Sequence, residues 1–325
     1  MKKFLALILA LLLALGCLGC NAAPAPTETT EPAPTTPTAS AEAKAALDGK
    51  KILFVGNSYT YFGCAVIQDS LSVTEQTARE HDQGYFYQLC KAMGMEVNVT
   101  DWTFGAHDLT DSLGTACARD NCAGANHIIH MLDKNFDYVV LQPYYERAYT
   151  GDLDSHLKPF LDMFREANPD VKFILAVPYM TYDKNYVWKG SLDTMDRSDI
   201  LICNWGKMCR DVATGAVEVP GGTQEYGRPT FIVSVDEKDG HHQNLLAGYL
   251  TSAMVYCAIT GDSAVGLPYD FCDDPTLHEK FNMDAFKEKN YVYEPYTNFV
   301  EVYRSAADMN GLQQLIDQYL AAENS

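Results

Sequence analysis

Positive charge is scarce in this sequence. Lys and Arg number 24 against 43 Asp and Glu, a formal net charge of −19, which sets nucleic acid and anionic lipid surfaces aside as partners of the folded part. Acidity of this kind serves solubility equally well and by itself names no substrate. Nor is there an apolar run of the ~20 residues that a bilayer-spanning helix needs. The unbroken run from Phe4 to Leu15 has the length of a secretory h-region instead. Beyond Cys20 no Cys-x-x-Cys pair occurs, so a structural zinc site has no support and no metal or other cofactor is expected. No internal repeat is visible, and residues 21–48 contain no aromatic side chain.

What is present at the N-terminus reads as export machinery. Lys2 and Lys3 precede the apolar run, and Cys17 and Cys20 close it, each with a small residue just before it. This arrangement resembles a bacterial lipobox, with Cys20 the expected lipidation site and Cys17 the alternative. Two acyl chains on that Cys would anchor the protein to a membrane. The expected organisation is a lipoprotein signal over 1–20, a disordered Pro/Thr/Ala-rich tether over 21–48, and a single folded domain over 49–325 whose last part, 263–325, is an extension. The expected location is the extracytoplasmic face of a bacterial membrane. Of the eight other cysteines, Cys117 and Cys122 bracket a polar loop and suit a disulfide, whereas Cys90 and Cys257 sit in apolar helical patterns as core thiols.

From Lys51 onward, β-rich runs alternate with helical patterns. Strands are expected at Ile52–Val55, Glu96–Val99, Tyr138–Leu141, Phe173–Val177 and Thr230–Val233, and helices at about 84–94, 125–133, 153–167, 196–214 and 244–260. Continuous apolar strands interleaved with helices predict an α/β fold, a three-layer α/β/α doubly wound (flavodoxin-like) sheet of about five parallel strands. Residues 63–83 are longer than an ordinary connection and read as a lid or a surface excursion. In such folds ligands sit off the carboxyl ends of the strands.

Two strand-following turns carry chemistry. After the first strand comes Gly56-Asn57-Ser58-Tyr59-Thr60, with a hydroxyl at a strand-to-helix turn. Ser58 there is either a nucleophile or a helix N-cap. After the last expected strand comes Asp239-Gly240-His241-His242-Gln243-Asn244. Asp239 is placed to hold one imidazole nitrogen of His242 while the other accepts a proton. The bland alternatives are a solvated Asp-Gly turn and a surface or metal-binding histidine at 241 or 242.

Together, Ile52-Leu53-Phe54-Val55-Gly56-Asn57-Ser58-Tyr59-Thr60 and Asp239-Gly240-His241-His242 resemble the first and last blocks of the SGNH (GDSL-type) hydrolases, in a bacterial Gly-Asn-Ser-aromatic-Thr subgroup of unknown function. The resemblance covers roughly residues 50–262. It implies Ser58 as nucleophile and first oxyanion donor, His242 as general base, Asp239 as its orienter, and the Gly105 amide as a second oxyanion donor. The family's third block, Gly-x-Asn-Asp, is missing. Gln142, closing Val139-Val140-Leu141, is the side chain available in its place, as an oxyanion donor or simply as a polar strand end.

Aromatic residues crowd two further loops, with Tyr144 and Tyr145 after the third strand and Tyr182 and Trp188 after the fourth. They suit the apolar face of a sugar or an aryl group, or else pack the domain edge. The reading that follows is a lipid-anchored serine esterase acting on a small-molecule or glycan ester, such as a carbohydrate deacylase. The alternative is a non-catalytic glycan-binding surface lipoprotein on the same scaffold. A third reading, a solute-binding lipoprotein, predicts two lobes about a hinge.

Overall fold

The segment Lys51–Gly56 becomes a strand because four consecutive apolar side chains, Ile52 to Val55, are buried and alternate between two faces. The computed structural model describes residues 38–61, 79–80, 84–103, 109, 128–142, 153–179, 196–233, 242–273 and 305–325. Along them run α1 (Ala41–Leu47), β1 (Lys51–Gly56), α2 (Ser58–Tyr61), β2 (Arg79–Glu80), α3 (Tyr85–Ala92), β3 (Asn98–Thr103), a 3₁₀ segment (Ile128–Lys134), β4 (Tyr138–Leu141), α4 (Leu153–Ala167), β5 (Lys172–Ala176), β6 (Ile200–Cys203), α5 (Trp205–Ala213), β7 (Ile232–Val233), β8 (His242–Gln243), α6 (Leu245–Thr260) and α7 (Ala306–Asn324).

The sheet order is β2-β3-β1-β4-β5-β6, with β2 a short antiparallel edge. The five strands β3-β1-β4-β5-β6 are parallel, with Ile52 opposite both Val99 and Tyr138. This is the flavodoxin-like order, in which the chain reverses its direction of winding between β1 and β4. Alternate strand residues feed two cores. Ile52, Phe54, Val99, Val140, Ile174 and Cys203 pack with α1, α3, α5, α6 and α7. Leu53, Val55, Val139, Leu141, Phe173 and Ile202 pack with the 3₁₀ segment and α4. Helices therefore cover both faces, giving three layers.

One helix organises the first of these layers. Every residue of α6 but Ala258 is buried, so the helix is apolar all round rather than striped. Ser252 and Thr260 donate to the carbonyls of Gly248 and Tyr256 one turn back, each at 2.9 Å, while the single Thr251 hydroxyl proton is shared between Ala247 O at 2.8 Å and Gln243 Oε1 at 3.1 Å.

The fifth parallel strand differs from expectation. It is β6, Ile200–Cys203, inside the span expected as a helix from 196, and 230–233 lies outside the main sheet. Its apolar run merges with the Trp205, Met208, Cys209 face of the next helix, which hides the strand in a helical period. Arg165 of α4 grips Asp199 with a two-pronged hydrogen bond of 2.6 and 2.7 Å at the strand's entry. Asn204 caps α5 at its exit, accepting from Lys207 N. The outer edge is closed by Asn324 of α7, whose side chain both accepts from Ile202 N and donates to Ile202 O. The C-terminal extension thus supplies a sheet-edge cover.

The tether boundary shifts as well. Ser40 caps α1 by accepting from Ala43 N, and Ala43 and Leu47 are wholly buried, so the end of the expected 21–48 tether belongs to the folded domain. Tyr138 donates to Ala46 O at 3.0 Å and fixes the helix to β4. The two lobes predicted by the solute-binding reading are not found among the described residues, whose parallel strands all lie in one sheet. Cys90 and Cys257 are buried free thiols, and burial pushes both upward from the usual thiol range.

Candidate active site

The carboxyl ends of β1 and β4 meet at the point where the winding reverses, the usual crevice of such a sheet. Gly56 ends β1 there. A Cβ at this position would come within 2.5 Å of Thr60 Oγ1 and 2.9 Å of Gln142 Cβ, so only glycine lets the turn fold back this tightly. Asn57 is fully buried and builds the turn itself. Its Oδ1 accepts from Tyr59 N at 3.0 Å, its carbonyl accepts from Thr60 N at 2.9 Å, and the short helix α2 opens with Ser58.

Gln142 closes the other side. Its backbone N–H extends the ladder past β4 by donating to Val55 O at 2.8 Å. Its side-chain Oε1 accepts from Asn57 N and from Thr60 Oγ1, each at 3.2 Å, with the residue only 2% exposed. Because the Asn57 amide can only donate, the oxygen of the Gln142 carboxamide must face the turn. The sequence offered Gln142 as a replacement oxyanion donor or as a polar strand end; in the structure its carbonyl end holds the serine-bearing turn in place.

The second block enters on a two-stranded antiparallel ribbon. Val233 pairs with His242 and Ile232 with Gln243. Asn244 then ties the ribbon to α6 in three ways: its N–H donates to Phe231 O at 2.9 Å, its Nδ2 to Thr230 O at 2.8 Å, and its Oδ1 accepts from Ala247 N at 3.0 Å as the helix cap. Gln243 between them is wholly buried. Its Nε2 donates to Thr60 O at 3.1 Å, a bond spanning 183 residues of sequence, and its Oε1 lies 3.1 Å from Thr251 Oγ1.

Thr60 O accepting from Gln243 therefore brings α2 and β8 together. Ser58 stands two residues before Thr60, and His242 one residue before Gln243. Asp239, Gly105, Tyr144, Tyr145, Tyr182, Trp188, Cys17 and Cys20 lie outside the described residues, as do Cys117 and Cys122 and the expected lid at 63–83, of which only Arg79 and Glu80 are described. The sequence pointed to neither Gln243 nor Thr251, because a glutamine in a polar run and a threonine in an apolar helix give no signal of pairing. Among the described residues no three His, Cys, Asp or Glu side chains cluster as metal ligands.

No protein-family model matches the sequence, and no curated protein matches it either. Solved structures align with part of the chain at low identity. An acetylxylan esterase from Geobacillus stearothermophilus aligns at 15% identity over 67% of this chain and 96% of its own, with a TM-score of 0.42. A family 3 carbohydrate esterase from Clostridium thermocellum aligns at 14% identity over 65% and 95%, with a TM-score of 0.41. A protein from Slackia heliotrinireducens assigned to the SGNH hydrolases aligns at 14% identity over 66% and 100%, with a TM-score of 0.38.

Proposed function

We propose that this chain is an exported, lipid-anchored serine esterase that removes small acyl groups from carbohydrate or other small esters. The observation that carries the reading is the hydrogen bond from Gln243 Nε2 to Thr60 O. A hydrolase of this type needs its serine turn and its histidine segment side by side, and this bond joins those two segments across most of the chain. In the proposed reaction the Ser58 hydroxyl adds to the acyl carbon while His242 takes its proton. The tetrahedral oxyanion rests on the amides of Ser58 and Gly105 and the Gln142 carboxamide nitrogen. Collapse expels the alcohol, which receives the proton from His242, and water activated by the same histidine releases the acid. Asp239 keeps the imidazole oriented throughout.

The glycan preference is supported by the aromatic loops carrying Tyr144 and Tyr145 and carrying Tyr182 and Trp188, and the anchor by the apolar N-terminus and Cys20. Labelling with a fluorophosphonate tests the core of the reading. The wild type should form a covalent adduct at Ser58 and hydrolyse p-nitrophenyl acetate, and Ser58→Ala and His242→Ala should lose roughly 10⁴-fold or more of that rate. A wild type that takes no label and turns over no faster than Ser58→Ala sinks it. That outcome would favour the second reading, a non-catalytic glycan-binding lipoprotein on the same scaffold.

A further inference from the structure

Thr60 is held from two sides by buried glutamines. Gln142 Oε1 accepts from its hydroxyl at 3.2 Å, and Gln243 Nε2 donates to its carbonyl at 3.1 Å. The second glutamine is itself braced, because its Oε1 lies 3.1 Å from the hydroxyl of Thr251, which also lies 2.8 Å from Ala247 O. A chain of buried polar groups thus runs from the end of β4, through the turn after β1, to the first turns of α6. None of its glutamine side chains is more than 2% exposed. Such a chain fixes geometry strongly, since a buried polar member costs free energy if its partner withdraws.

We propose that Gln243 is a positioning residue for the esterase reaction, setting the spacing between the Ser58 turn and the His242 strand through Thr60, with Thr251 holding Gln243 in the required orientation. The inference rests on the catalytic reading given above. Gln243 adjoins His242, and its side chain crosses to the backbone two residues beyond Ser58. The acceptor is a backbone carbonyl of the turn itself, so the bond acts directly on the main chain that carries Ser58. A proton transfer from hydroxyl to imidazole depends steeply on their separation, and a displacement near 1 Å can cost about 10²-fold in rate. Substrate binding depends far less on that separation.

The test compares Gln243→Met, which keeps length and volume but removes both polar atoms, with Thr251→Val and Thr251→Ser. Rates are normalised to the sites that a fluorophosphonate titrates to completion, so misfolded protein does not count. Gln243→Met should lose about 10- to 100-fold in kcat with KM within about twofold of wild type, and its labelling rate should fall in proportion. Thr251→Val should lose a few-fold in the same pattern, and Thr251→Ser should recover it. If Gln243→Met is too unstable to assay, Thr251→Val and its serine rescue carry the test. Wild-type kcat per titrated site in Gln243→Met, or in Thr251→Val should Gln243→Met not fold, overturns the positioning role even where melting temperature drops. A wild type that takes no label overturns the esterase reading instead.

Discussion

Gln142 Oε1 and the backbone nitrogen of Asn57 lie 3.2 Å apart, 85 residues distant in sequence. One carboxamide therefore has two jobs in the proposed mechanism, its oxygen holding the turn and its nitrogen serving the oxyanion. Substitutions separate them. Gln142→Glu keeps an acceptor for Asn57 N and Thr60 Oγ1 but removes the amide donor, so the fold should survive while kcat falls about 10²- to 10³-fold. Gln142→Leu removes the acceptor that Asn57 N and Thr60 Oγ1 share, at about 1–3 kcal/mol for each bond, and should lower the melting temperature as well. Thermal denaturation alongside ester kinetics distinguishes the two variants.

Gly56→Ala should be costly. The added Cβ would lie 2.5 Å from Thr60 Oγ1 and 2.9 Å from Gln142 Cβ, and an overpacked methyl in a tight site costs about 1–3 kcal/mol. Because both neighbours belong to the serine turn's support, activity should fall further than stability. Urea unfolding and kinetics on one preparation measure both.

Acid should loosen the attachment of α7. Asp308, wholly buried, accepts from Thr223 N at 3.0 Å, Thr223 Oγ1 at 3.1 Å and Tyr226 Oη at 2.7 Å, and from the Ser305 hydroxyl of its own helix cap. Burial alone would push its carboxyl up, but the bonds from Ser305, Tyr226 and Thr223 outweigh it and bring the group down to about 2 from an ordinary 3.8. A carboxyl depressed on folding stabilises fully above its unfolded value and loses that contribution as the pH falls through its folded one. The loss therefore falls between about pH 4 and pH 2. Unfolding free energy of the wild type should drop more steeply over that window than that of Asp308→Asn, and parallel slopes would refute the assignment.

Leu47→Ala should destabilise the domain by about 2–5 kcal/mol, the usual range for a buried leucine cut back to its Cβ. Leu47 is fully buried in the same core as α6. A side chain in a solvated tether would cost nothing, so chemical denaturation of this single variant fixes where the folded domain begins.

Legibility in the sequence followed how far local pattern and tertiary demand agreed. β1, β4 and β5 fell where continuous apolar runs placed them, and α4 and α6 began and ended within about a residue of expectation. β3 runs two to four residues later than Glu96–Val99, because Asp101 and Thr103 continue the strand despite their polarity. β6 was hidden because its four residues continue into a helical face, and it is recognisable as a strand only once Asn324, more than a hundred residues away, satisfies its edge. The run 230–233 looked like a sheet strand, yet its partner is the short segment at His242. α1 was masked by its Ala- and Pro-rich surroundings, since burial of Ala43 and Leu47 depends on α6. The same limit applied at the site. Ser58 and His242 stand out by chemical type, while Thr60, Gln243 and Thr251 acquire meaning only through whom they bond.

The triple attachment of Asn244 has a consequence for how activity fails on heating. The ribbon that carries His242 is stitched to the first turn of a helix with almost no solvent-facing surface, and that helix can loosen only when the interior does. For this segment, inactivation and global melting should be a single cooperative event, with no intermediate in which the histidine strand has frayed from an otherwise intact molecule.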